Sequence, residues 1–225
     1  MNKASLAEFE ELVIPENIPE NRPQVVPNLL YNAMLHPFIG YTIKGAIWYQ
    51  GEGNRTRPTQ YKRLFPAMIA NWRNDWAQGD FPFYFVQIAP YGYGGLNAAF
   101  VREAQLETML TVPNTGMVVT TDIGDCKDIH PKEKRTVGER LALWALAKDY
   151  KLTGFGYCGP IYRNMKKVDN KLILEFDHAE NGLSSNREGL IGFKIAGADR
   201  VFHKAEGKVN WNGTIEVWSD KVPDP

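Results

Sequence analysis

Apolar positions along the chain follow two rhythms. Short unbroken runs at 42–50, 81–88 and 116–121 have the length and composition of strands covered on both faces, and longer stretches between them place apolar residues three and four apart. In the clearest of these, 59–76, Tyr61, Leu64, Phe65, Met68, Ile69, Trp72 and Trp76 fall on one helical face, and Pro66 inside the pattern predicts a kink or a late helix start. Residues 98–110 predict a second helix. Residues 132–148, with Val137, Leu141, Trp144, Ala145 and Lys148 on one face, predict a third. Three alternations of strand and helix predict a parallel sheet with helices on both faces, an α/β fold.

The rhythm differs at the two ends. Residues 3–12 predict a short amphipathic helix, and Pro15, Pro19, Pro23 and Pro27 then interrupt any regular element, so 1–28 reads as a connector. Residues 29–35 predict a helical turn or two leading to His36-Pro37. From Phe155 the chain breaks into short strand-like runs, 171–176, 190–196, 200–203 and 214–218, separated by Gly, Asn and Asp. The expected division is a connector at 1–28, an α/β domain at 29–154 and a β-rich accessory region at 155–225 resembling a small antiparallel sandwich.

Composition narrows the function. Acidic and basic side chains balance at 26 each, so neither a nucleic acid nor an anionic membrane surface is favoured as partner, and a small neutral or weakly charged ligand is expected. Cys126 and Cys158 are too few for a disulfide framework, and their pairing is left open. No apolar run is long enough to span a bilayer, and acidic residues interrupt 1–13 where a signal peptide needs an apolar core. Asn54-Arg-Thr56 and Asn212-Gly-Thr214 match the glycosylation pattern without further support.

Candidate chemistry lies at the C-terminal ends of the predicted strands, the edge where open α/β sheets bind ligands. There Gln50-Gly-Glu-Gly-Asn54 gathers backbone N–H groups and side-chain amides, the donors an acyl-transfer site aims at an oxyanion. Glu52 is expected to hold a cation such as Arg102 or to accept from substrate hydroxyls. Of four histidines, His130 alone follows a passage dense in carboxylates, with Asp128 and Asp125 as candidates to orient it as a general base; His36, His178 and His203 read as packing or surface residues. An ion-binding reading of Asp122, Asp125, Cys126, Asp128 and His130 matches neither the calcium-loop nor the zinc spacing. Gly92-Tyr-Gly94 lacks the third glycine of a dinucleotide fingerprint, since Asn97 holds that position, and reads as a substrate loop. No metal and no cofactor are expected.

Gly45-Ala-Ile-Trp-Tyr-Gln-Gly-Glu-Gly-Asn54, Arg102-Glu-Ala-Gln105 and Asp125-Cys-Lys-Asp-Ile-His-Pro131, in this order and spacing, resemble the sialate O-acetylesterase family of SGNH hydrolases. The resemblance runs from about Leu29 to the end of the chain. It implies a three-layer α/β/α fold and metal-independent removal of acetyl groups from sialic acid or a related glycan by a serine nucleophile. On that carry-over Gln50, Gly51 and Asn54 line the oxyanion hole, His130 is the base and Asp128 or Asp125 orients it; the family is secreted, periplasmic or lysosomal. Two departures stand out: Gly53 replaces a small polar residue, and the family's Gly-Asp-Ser or Gly-Gln-Ser motif does not occur. Ser5, Ser184, Ser185 and Ser219 are the serines, and Leu183-Ser-Ser-Asn186 echoes the motif only after the histidine. The chain is therefore expected to be a portion of a longer esterase, inactive alone. The alternative is a non-catalytic glycan-binding module on the same scaffold, with Trp48, Tyr49, Tyr91 and Tyr93 stacking on sugar rings.

Overall fold

The computed structural model describes residue 26 and residues 28–95, 97–185 and 189–225. The expected helix at 3–12, the spaced prolines and Ser5 lie outside the described residues, as does Asn186 of the echoed motif. Two compact units divide the chain, one ending at Tyr150 and the other running Lys151–Pro225.

In the first unit, a wide helical turn at Tyr31–Leu35 and a tighter one at His36–Phe38 lead to strand β1, Ala46–Tyr49. Helix α1, Pro58–Trp76, strand β2, Phe83–Val86, helix α2, Asn97–Thr111, strand β3, Thr115–Val118, and helix α3, Arg135–Lys148, follow in order. The sheet is β1-β2-β3 and parallel throughout, with Tyr49 opposite Val86 and Val86 opposite Val118 at its C-terminal edge.

Alternate residues of each strand face opposite layers. Ala46, Trp48, Phe83, Phe85 and Met117 meet Tyr61, Phe65 and Ile69 of α1 and Val101 and Ala104 of α2. On the other face the Trp144 ring of α3 lies 6.0 Å from that of Tyr84, and its indole N–H donates to the Met117 carbonyl. All four residues of β2 are buried, as its unbroken run Phe-Tyr-Phe-Val requires of a strand covered on both sides.

Boundaries depart from the apolar pattern for identifiable reasons. The strands are shorter than their runs: β1 begins only at Ala46, since the Gln78 side chain takes up the Ile43 N–H and carbonyl, and β2 and β3 end at Val86 and Val118, where side-chain contacts take over from the ladder at the C-terminal edge. Helix α1 starts at Pro58 and continues through Pro66, so no late start occurs. Proline suits the first turn, where the N–H it lacks would have no intrahelical partner. Helix α3 starts at Arg135 and not at Lys132, because the Glu133 carboxylate accepts from the Thr136 N–H and closes the turn ahead of it. Opposite the ligand edge, Arg73 is 6% exposed and its guanidinium donates to the carbonyls of Phe81, Pro113 and Asn114. One side chain thus fastens the entries of β2 and β3 to α1.

The second unit holds strands β4, Ile161–Val168, β5, Lys171–Asp177, β6, Lys194–Ile195, β7, His203–Lys204, β8, Glu206–Val209, and β9, Ile215–Trp218. They form a four-stranded antiparallel sheet, β4-β5-β9-β8, and a two-stranded one, β6-β7, over a small core of Ile195, Ala205, Ile215, Val217 and Val222. Strands β4 and β8 lie outside the expected runs, and the run at 190–196 contracts to two residues. Cys126 and Cys158 form no disulfide.

Candidate active site

The candidate residues leave the C-terminal ends of adjacent parallel strands on three loops, 50–54, 87–93 and 119–130, and polar contacts tie the loops together. In the first, Gly51 adopts φ 148°, a left-handed backbone that favours glycine. A Cβ there would also sit 2.8 Å from Ile88 Cγ2 and 3.2 Å from the Tyr61 hydroxyl oxygen. The chain then tightens into a turn at Glu52–Asn54, in which the Asn54 N–H donates to the Gly51 carbonyl at 2.9 Å. Gln50 is exposed, and among the described residues neither its side-chain amide nor that of Asn54 makes a hydrogen bond, and the Gly51 N–H makes none either. These three donors are the ones expected to meet an oxyanion, and all are uncommitted.

The second loop is gripped from two sides. Glu52 Oε1 accepts from the Ala89 N–H at 3.5 Å, while Arg102 Nη2 donates to the Ala89 carbonyl at 3.0 Å. Glu52, expected to hold a cation such as Arg102 or to accept from substrate hydroxyls, meets Arg102 on opposite ends of one residue, and the two fix the loop between them. Gln105, one turn further along α2, donates to the carbonyls of Gln50 and Val86 and accepts from the Ile88 N–H. Beyond Ala89, Tyr91 and Tyr93 pair edge to face with ring centroids 5.1 Å apart, and the Arg55 guanidinium lies 5.0 Å from the Tyr93 ring centroid. Burial, reinforced by the nearby Glu52 charge, pushes the Tyr93 phenol up to about 12, so it stays neutral at ordinary pH.

The third loop carries the histidine. Its entry is fixed by Arg140 of α3, which donates to both oxygens of Asp122, at 2.8 and 2.5 Å, and to the Val119 carbonyl. Asp125 Oδ1 then accepts from the Lys127 N–H and Asp128 Oδ1 from the His130 N–H, each at 2.8 Å. These are consecutive side-chain turns that shape the loop's own backbone. Both candidate aspartates therefore hold the main chain here, and the exposed His130 imidazole donates a hydrogen bond to neither. Among the described residues no three His, Cys, Asp or Glu side chains gather as they would around an ion.

This loop packs against the second one. The Gly92 N–H donates to the Cys126 carbonyl at 2.9 Å, and a Cβ on Gly124 would lie 2.1 Å from Pro90 Cγ, so only glycine fits there. It also reaches back to β1, where Lys134 lies 5.1 Å from the Tyr49 ring centroid. The Tyr49 hydroxyl and Thr120 Oγ1 are buried at the exits of β1 and β3, and among the described residues neither completes a hydrogen bond.

Gln50, Gly51, Glu52, Asn54 and Arg102 thus share one edge with the His130 loop. Trp48 does not present itself to a ligand: its ring packs edge-on against Trp72 at 5.7 Å. Gln105, Thr120 and Lys134 contribute to this edge without having been singled out. Of these only Gln105 lay in a noticed motif, and nothing in helical periodicity marks a buried glutamine.

Residues 24–147 match the family described as carbohydrate esterase, sialic acid-specific acetylesterase. The rat sialate O-acetylesterase is 33% identical over 171 residues, a match covering 67% of this chain and 32% of that protein. The human sialate O-acetylesterase is 31% identical over 171 residues, covering 67% and 33%. The chain thus spans about a third of the length of these curated relatives. The crystal structure of a carbohydrate acetylesterase from Xanthomonas citri superposes with a TM-score of 0.80 at 39% identity, over 88% of this chain and 47% of that one.

Proposed function

The chain belongs to the sialic acid-specific acetylesterase family of carbohydrate esterases, and from that membership we propose that it carries the base and the oxyanion donors of a serine-dependent esterase that removes acetyl groups from a sugar. The observation that carries this reading is the set of uncommitted donors on the β1 exit, the Gly51 N–H and the amides of Gln50 and Asn54, on the same sheet edge as a solvent-accessible imidazole. Donors fixed before reaction stabilise a tetrahedral oxyanion without having to reorganise.

In this mechanism His130 takes the proton of an attacking serine hydroxyl and delivers it to the departing sugar oxygen. The serine comes from polypeptide beyond this chain, of which the match covers only 32% of a relative's length. Asp128 or Asp125 orients the imidazole once that polypeptide is in place. Glu52 and Arg102 act by fixing Ala89, and through it the loop carrying Tyr91 and Tyr93, beside the substrate. The substrate class follows the relatives' names: O-acetylated sialic acid, or another acetylated glycan.

Acetate release from p-nitrophenyl acetate and from O-acetylated sialic acid tests the proposal. Negligible turnover by the 225-residue chain and enzymatic turnover by a protein extended through a serine-bearing strand are expected, with His130→Ala abolishing the latter. Ordinary turnover by this chain alone, unchanged in His130→Ala, would remove His130 from the mechanism.

A further inference from the structure

The β1–β2 ladder stops at Tyr49 and Val86, and past that point the side chain of Gln105 stands between the two strands. It is 0% exposed. Its Nε2 donates at 3.4 Å to both the Gln50 and Val86 carbonyls, and its Oε1 accepts from the Ile88 N–H at 3.0 Å. Exchanging the amide's two ends would aim its oxygen at two carbonyls and its NH2 at an N–H, so only one orientation satisfies this network. Gln105 replaces the ladder with one primary amide and lets the strands part at the mouth of the site.

The consequence concerns the next peptide unit. In a trans peptide the C=O and N–H point in opposite directions. The Gln50 carbonyl is drawn toward the helical layer, where Gln105 Nε2 lies at 3.4 Å and the Tyr61 hydroxyl at 3.5 Å. The Gly51 N–H is therefore turned away from that layer, and it has no acceptor among the described residues. At φ 148° Gly51 itself provides no steric preference that would hold this orientation. We propose that Gln105 is a positioning residue of the esterase: by holding the Gln50 carbonyl inward it keeps the Gly51 N–H outward as an oxyanion donor. The inference rests on the assignment of Gly51 as a donor given above.

Amide NMR on the 15N-labelled 225-residue chain tests it. Residual dipolar couplings report the direction of the Gly51 N–H. Agreement with this structure is expected in the wild type, and in Gln105→Leu a changed Gly51 coupling is expected against unchanged couplings in α1 and β2. Gln105→Glu keeps the shape, and burial against two carbonyls favours the protonated carboxyl, which still donates; raising the pH until that carboxyl ionises removes the donor, so the Gly51 coupling should match the wild type at low pH and depart from it as pH rises. That comparison is made within one folded protein, so it stands even if Gln105→Leu does not fold. A Gly51 coupling unchanged in Gln105→Leu, or unchanged in Gln105→Glu as its carboxyl ionises, overturns the proposal and leaves Gln105 a fastening of the core.

Titration with acetate, the acyl product, separates this from the reading beneath it. Movement of the Gly51 amide resonance in the wild type and its loss in Gln105→Leu and in ionised Gln105→Glu support the proposal. Equal movement in all three proteins overturns the role of Gln105 and leaves Gly51 as a donor. No movement in any of them overturns Gly51 as a donor, and with it the catalytic part of the proposal, whatever the couplings show.

Discussion

At the scale of the residue, the site depends on positions where one atom decides the outcome. Gly51 combines a left-handed backbone with neighbours 2.8 and 3.2 Å from where a Cβ would be. Gly51→Ala should therefore destabilise the first unit by roughly 1–3 kcal/mol, read as a lower urea midpoint at unchanged slope. Gly53, with nothing within 4 Å of its Cβ position, should tolerate alanine, and an equal loss at both positions would refute the packing argument. The sequence made Gly51 legible because glycines and amides after an apolar run point to a ligand edge. It could not show that Asp125 and Asp128 hold the loop backbone, since an aspartate two residues before an N–H reads alike as a loop brace and as a histidine's partner. Gln105 was hidden for a related reason: in a helix a glutamine belongs to the solvated face unless something buried needs both ends of its amide.

At the scale of the element, the alternation of strand and helix was readable because β2 and β3 are covered by helices on both faces and α1 carries a wide apolar stripe. Strand β4 was not readable, since seven of its eight residues are exposed and its sequence, Ile-Tyr-Arg-Asn-Met-Lys-Lys-Val, carries no alternation to detect. The join between β3 and α3 is electrostatic, and its pH dependence follows. Arg140 beside Asp122 holds that carboxyl below its ordinary 3.8. A group whose folded pKa is depressed contributes stability above its unfolded pKa and loses that contribution as pH falls through the folded value. Asp122→Asn should accordingly be less stable than the wild type at neutral pH, with the gap closing below pH 3.8. Paired melting curves across that range check this, and a gap that stays constant with pH would mean the ion pair contributes nothing. The pair is partly solvent-exposed, so the gap at neutral pH should be small and should shrink further in high salt.

At the scale of the whole molecule, one strand is unlike its neighbours. Ile47 and Tyr84 are partners in the β1–β2 register and face the same layer, yet Tyr84 is buried beside Trp144 while Ile47 is 71% exposed. No described strand pairs with the outer edge of β1. An apolar β-branched residue in mid-strand, on the face where α3 packs against β2 and β3, is surface suited to burial against further polypeptide. The match covers 32% and 33% of the rat and human relatives, which leaves ample chain to supply it. On the esterase reading that polypeptide brings the serine alongside Gln50 and Gly51, so the surface around Ile47 governs assembly of the site and not the stability of this chain. Ile47→Asp should then change the unfolding free energy of the 225-residue chain by no more than about 0.5 kcal/mol, as for other exposed positions. In the longer protein the same substitution buries an unpaired carboxylate, and acetylesterase activity should fall at least roughly tenfold. Loss of stability in the chain alone would mean that Ile47 is already covered here, and full activity in the longer protein would place the serine-bearing segment elsewhere.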